Sequence, residues 1–144
     1  MILIALALAS AATCKTYDTN LPRNLSGWTR AGRTLDTGHA LMLPGRRRVA
    51  ETKVTIRKAG TFGVAIDQQA WVDLYRGRGK ALEMASESRG PACSTIRKIV
   101  RYNLTPGTYR VTVTNMTAPR ARLMLVRTET GNRHEVLRRH GRHR

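Results

Sequence analysis

Three groups of side chains in this sequence have types and spacing that chemistry can use. Cys14 and Cys93 are the two cysteines of the chain, and an even count suits a disulfide wherever the compartment is oxidising. His134, His140 and His143 fall within the last eleven residues and offer imidazole nitrogens to Ni, Cu or Zn, in a spacing that is permissive rather than specific. With Glu135 beside them, His134 and His140 also have the two-histidine, one-carboxylate composition that non-haem Fe(II) requires. The third group is arginine: Arg46-Arg47-Arg48 in the body, and Arg138, Arg139, Arg142 and Arg144 at the end. A guanidinium is a planar fork that meets phosphate, sulfate or carboxylate with paired hydrogen bonds.

Net charge enlarges the arginine group. Among 144 residues, 26 Lys+Arg stand against 9 Asp+Glu, a formal charge of +17. Acids this scarce leave few carboxylate pairs for general acid–base work. Asp67 and Asp73 flank a short loop; they either face one another, as in a glycosidase pair or a calcium site, or serve as a turn former and a strand residue. No Gly-x-Ser-x-Gly elbow is present, and Ser94 has no histidine close in sequence to act as its base. Gly77 and Gly79 lie in a turn without the helix that a phosphate-cradling loop needs. Single-strand nucleic-acid binders interleave cations with stacking aromatics, and aromatic residues are only 5% of this chain. Specific nucleic-acid recognition is therefore not expected. The charge points to an anionic envelope component (lipid headgroup, lipopolysaccharide or acidic polysaccharide) or to a protein partner. The alternative is an arginine-rich composition that serves only a solvated face.

The elements that must position these groups begin with residues 1–12. This stretch has no charged side chain and runs through alternating Ile, Leu and Ala to Ser10-Ala11-Ala12. It reads as the apolar core and cleavage site of a secretory signal, although no Lys or Arg precedes it. It is too short to span a bilayer, which takes about 20 apolar residues. The chain is thus expected to be periplasmic or secreted, without a transmembrane span. Export favours pairing Cys14 with Cys93, which would stabilise the fold by about 4 kcal/mol through loop closure; free thiols or a lipidated Cys14 are the alternatives.

From Gly27 to Thr128 the dominant pattern is alternation with period two. Val54 and Ile56 share one side of a strand. Phe62, Val64 and Ile66 share a side of the next, then Val72 and Leu74 opposite Trp71, Asp73 and Tyr75, then Tyr109, Val111 and Val113. A last strand around Arg122 to Arg127 is apolar on both faces in its middle. Turn residues separate the runs, among them Thr105-Pro106-Gly107 in the order a type II turn favours. Strands so spaced predict one all-β domain over residues 13–130, an antiparallel sandwich or small barrel of about seven or eight strands. Residues 131–144 are expected to form a disordered Arg/His-rich tail.

The order Ala59-Gly60-Thr61-Phe62, Trp71-Val72-Asp73-Leu74-Tyr75 and Tyr102 to Val113 with its Pro106-Gly107-Thr108-Tyr109 core resembles the bacterial pre-peptidase C-terminal β-sandwich. That resemblance implies a jelly-roll-like exported module that binds or chaperones rather than catalyses. The stretch Arg89 to Lys98 also resembles a loop-to-strand element of small exported proteins, some of which carry a homogentisate dioxygenase label. The iron site such an enzyme needs would have to be drawn from His134, Glu135 and His140, in a tail without a core to hold it rigid. The expected function is accordingly non-enzymatic, with no cofactor and with anion binding through Arg46 to Arg48 and the tail. A metal-dependent enzyme or an enzyme accessory module is the alternative.

Overall fold

The computed structural model describes residues 13–128. The apolar segment 1–12 and the 131–144 stretch lie outside the described residues, and with them Arg138, Arg139, Arg142, Arg144, His134, His140 and His143. The described chain is a two-sheet β-sandwich. Its strands are β1 (Ala31–Gly32), β2 (Ala40–Pro44), β3 (Ala50–Ile56), β4 (Gly60–Ile66), β5 (Trp71–Tyr75), β6 (Ser86–Arg89), β7 (Lys98–Leu104), β8 (Gly107–Thr114) and β9 (Arg120–Arg127).

One sheet has the order β1-β2-β9-β4-β7-β6 and the other β3-β8-β5. Successive strands from β2 to β5 alternate between the sheets, so that β2-β9-β4-β7 faces β3-β8-β5. This interleaving is the jelly-roll order, two interlocked Greek keys. An eighth jelly-roll strand would flank β5. Here the chain after β5 makes only a bridge, Tyr75 to Ala81, and one further amide bond, Leu82 N–H to Leu74 O at 2.8 Å. β6 instead adds to the edge of β7. All strand pairs are antiparallel except the two-residue β1 with β2.

Alternation explains the core directly. Val54, Ile56, Phe62, Val64, Ile66, Val72, Leu74, Val111, Val113, Leu123 and Leu125 all face the space between the sheets and are buried together. The turn at Pro106 crosses between sheets rather than closing a hairpin, because β7 and β8 belong to different sheets. It is fastened by a tyrosine corner: the Tyr109 hydroxyl donates to Thr105 O at 2.8 Å and accepts from Thr105 N–H at 3.1 Å.

The two-sided apolar character of β9 has a second cause. Met124 and Val126 point away from the sandwich interior and join Ala65, Ile99 and Ile96 in a separate cluster. Residues 13–30 strap across this outer face, and the 3₁₀ helix Arg23–Thr29 drives Leu25 and Trp28 into it. Periodicity could not show this strap, because its few apolar residues follow no strand or helix repeat.

Candidate anion-binding end of the sandwich

Four connections meet at one end of the sandwich because β2, β4, β6 and β8 all run toward it: residues 45–49, 67–70, 90–97 and 115–119. The first contains the arginine triplet. Arg46 N–H donates to Val49 O at 2.7 Å and Val49 N–H donates back to Arg46 O at 3.0 Å. Between them Arg47 (φ 53°) and Arg48 (φ 67°) are both left-handed, the backbone of a type I′ hairpin turn, which favours Asn-Gly. Holding two arginines there costs of order 1–2 kcal/mol for each. The neighbouring loop supplies the restraint. Arg48 Nε–H donates to Met116 O at 2.9 Å, Met116 N–H donates to Arg48 O at 3.1 Å, and Gly45 N–H donates to Pro119 O at 2.7 Å.

Gln68 ties the next loop into the same structure. It is only 6% exposed, yet both ends of its amide are satisfied, so its burial carries little penalty. Oε1 accepts from Thr117 N–H at 2.8 Å and Ala118 N–H at 3.1 Å, while Nε2 donates to Arg120 O at 2.8 Å. Beside it, Asp67 Oδ1 accepts from Arg122 N–H at 3.0 Å. The Asp67 carboxylate thus fastens the start of this loop to β9. Asp73 lies within β5, on the side opposite the buried Val72 and Leu74, and does not line the same cleft.

The 90–97 loop is anchored by the N-terminal strap. Cys14 and Cys93 form the disulfide expected from their count, with Cα atoms 5.4 Å apart, and Cys93 is itself left-handed (φ 54°). The Asp18 carboxylate accepts from Thr95 N–H at 2.8 Å and from the Thr95 hydroxyl at 2.6 Å, and Trp28 Nε1–H donates to Thr95 Oγ1 at 2.8 Å. Gly90 permits the loop to close: a Cβ there would lie 2.0 Å from Ile96 O.

These loops enclose a cleft of about 580 Å³, lined by Asp67, Gln69, Arg89, Ser94, Thr95 and Arg97 among others. Ser94 uses its hydroxyl to donate to Pro91 O at 2.6 Å, and His39, the one histidine among the described residues, sits before β2 at the opposite end. Among the described residues, Ser94 thus has no histidine beside it, while the Thr95 hydroxyl is held by the Asp18 carboxylate. A shallower depression of about 480 Å³ lies under the arginine turn, lined by Gly45, Arg48 and Met116 to Pro119.

The end collects Arg46, Arg47, Arg48, Arg89, Arg97 and Arg120, all exposed, beside Asp67 and Asp18, whose carboxylates accept hydrogen bonds from Arg122 N–H and from Thr95. Among the described residues, Arg46, Arg47, Arg89, Arg97 and Arg120 make no side-chain hydrogen bond or ion pair. Sequence reading had singled out the triplet but not Arg89. The available signal was a pair of arginines bracketing the Cys93 loop. Among the described residues, no group of three or more His, Cys, Asp or Glu side chains is placed to hold a metal ion, and no helix is long and apolar enough to cross a membrane. The chain matches no protein-family model, no curated protein and no solved structure.

Proposed function

We propose that this chain is an exported, non-enzymatic β-sandwich that binds an anionic envelope component through the loop end carrying Arg46 to Arg48, Arg89, Arg97 and Arg120. The observation that carries this reading is that separate loops bring exposed guanidiniums, free of ion pairs among the described residues, to one braced end, where the Asp67 and Asp18 carboxylates are already taken up by hydrogen bonds. A guanidinium already in an ion pair would have to break it to bind; these need not. Bracing by Gln68, the Met116 contacts and the disulfide lowers the ordering cost of binding. Export is part of the same proposal: the Cys14–Cys93 bond suits an oxidising compartment, and the apolar segment 1–12 would provide the route. So is the resemblance to pre-peptidase C-terminal modules, which implies binding rather than catalysis.

The test is retention on immobilised heparin under a salt gradient. Wild-type protein should elute at raised salt, since paired surface charges are screened as the Debye length shortens. Reversing the loop end (Arg46→Glu with Arg47→Glu, or Arg89→Glu with Arg97→Glu) should bring elution forward strongly. Reversing Arg57 and Arg78 at the opposite end should matter much less. Equal losses from both ends would refute a localised site.

A further inference from the structure

Two apolar side chains stand out at the same end. Trp71 is 65% exposed and Val49 is 46% exposed. The register relates them. Ala50 pairs with Val113 across β3 and β8, and Val72 pairs with Val113 across β5 and β8, all three facing the core. One residue further toward the loop end, Trp71 pairs with Thr114, and Val49 continues β3 to the same level. Because facing alternates along a strand, Val49, Thr114 and Trp71 form one outward row across three strands, about 10 Å wide. This row begins at the residue that closes the Arg47-Arg48 turn.

We infer that the anionic partner is the surface of a lipid bilayer, entered at headgroup depth by Trp71 and Val49 while the Arg46 to Arg48 turn pairs with lipid phosphates. This rests on the proposed anion-binding role of the same end and narrows it to one source of anions. A soluble polyanion needs only the guanidiniums and gains nothing from an indole held in water. A membrane interface uses both: Trp favours the headgroup region, where its ring is apolar and its N–H stays hydrated, and anionic leaflets attract clustered cations. Val49 is too small to anchor alone, but it lies between the cations and the indole, so the apolar and charged surfaces are continuous. Rigidity matters too. The turn is fixed by two backbone bridges and by Met116, so the cations and Trp71 would meet a planar surface without a loop having to order.

The chain's own tryptophans make the test direct, because Trp28 is only 1% exposed and should report little. Full-length protein is titrated with vesicles of phosphatidylglycerol and phosphatidylcholine, and with phosphatidylcholine alone, while emission and co-sedimentation are followed. The expected result is a blue shift with the anionic vesicles only, absent in Trp71→Phe. Partition should fall about tenfold in Trp71→Ala, with heparin elution unchanged. Val49→Ser should give a smaller fall, and thermal melts of each variant show whether it is folded. Sedimentation with anionic vesicles without an emission shift, or with undiminished binding by Trp71→Ala, would overturn the inference. If heparin retains the protein but anionic vesicles do not, the bilayer reading fails and the anion-binding role stands. If neither retains it, both fail.

Discussion

At the end of the sandwich opposite the clefts, the left-handed backbone positions carry glycine: Gly77 at φ 63° and Gly107 at φ 150°. At the cleft end, positions of the same kind carry Arg47, Arg48, Cys93 and Asn115. The far end is also basic, with Arg57, Lys58, Arg76, Arg78 and Lys80 in its connections. Some of its charge is turned inward, however. Arg76 lies over the Tyr109 ring at 5.7 Å and donates to the Thr105 hydroxyl and to Pro106 O. Arg127 lies over Phe62 at 5.6 Å. Net charge alone therefore does not separate the two ends. What separates them is that the far end places glycine at its left-handed positions, while the cleft end places side chains there and, among the described residues, leaves Arg46, Arg47, Arg89, Arg97 and Arg120 without a side-chain hydrogen bond or ion pair.

The largest effect should come from removing the brace of the cleft end. Cys14→Ser or Cys93→Ser should lower unfolding stability by about 2–4 kcal/mol, measured by denaturant melts against the non-reduced wild type. Loss confined to the cleft end should also appear in hydrogen exchange, with faster exchange in 90–97 than in 105–114. Uniform acceleration would show that the strap stabilises the whole sandwich and would erase the distinction between the ends.

Between the ends lies an alkaline limit. Burial pushes the Tyr102 phenol up from its ordinary 10.0 to about 12, with Asp73, Glu87 and Tyr75 adding to it. The raised value means that the native state holds its proton while the unfolded chain has released it. Stability from this group is complete below pH 10 and declines as pH rises toward about 12. Tyr102→Phe should flatten that decline at a cost of about 1–2 kcal/mol for the bond from its hydroxyl to Val72 O; an unchanged alkaline profile would exclude Tyr102 as its source.

Smaller and opposite in sign are two turn substitutions. Gly77→Ala at the far end, where no neighbour would touch the new Cβ, should cost about 1 kcal/mol through its backbone alone. Arg47→Gly at the cleft end should instead stabilise by up to about 1 kcal/mol while bringing heparin elution forward. Melting curves for the pair decide it: if both destabilise, the arginine turn is not strained, and the contrast between the ends reduces to charge.

Much of this architecture was legible in residue alternation. Val54 and Ile56, Val64 and Ile66, and Val72 and Leu74 face inward as period two requires, and the double-sided β9 was visible in Leu123, Met124, Leu125 and Val126. The disulfide followed from cysteine count. Less could be read of how strands join. Alternation reports which way a side chain faces but not which sheet it faces from, so it could not show that the turn at Pro106 crosses between sheets. The arginine triplet was conspicuous, yet its I′ turn was hidden because no Asn-Gly marks it. Arg89 and Arg97 were separated by a loop whose closure depends on Gly90 and on a strap some 70 residues earlier. Such long-range assembly leaves no local repeat.

The jelly roll that lacks its strand beside β5 raises a question of solubility. A sheet edge with bare carbonyls invites another chain to add to it. On β5, Val72 O receives the Tyr102 hydroxyl at 2.8 Å from across the sandwich, and Leu74 O receives Leu82 N–H at 2.8 Å from the passing loop. A phenol and a single amide thus take the acceptor sites that a neighbouring strand would occupy. Two of the carbonyls that an added strand would need on this edge are therefore already taken within the chain.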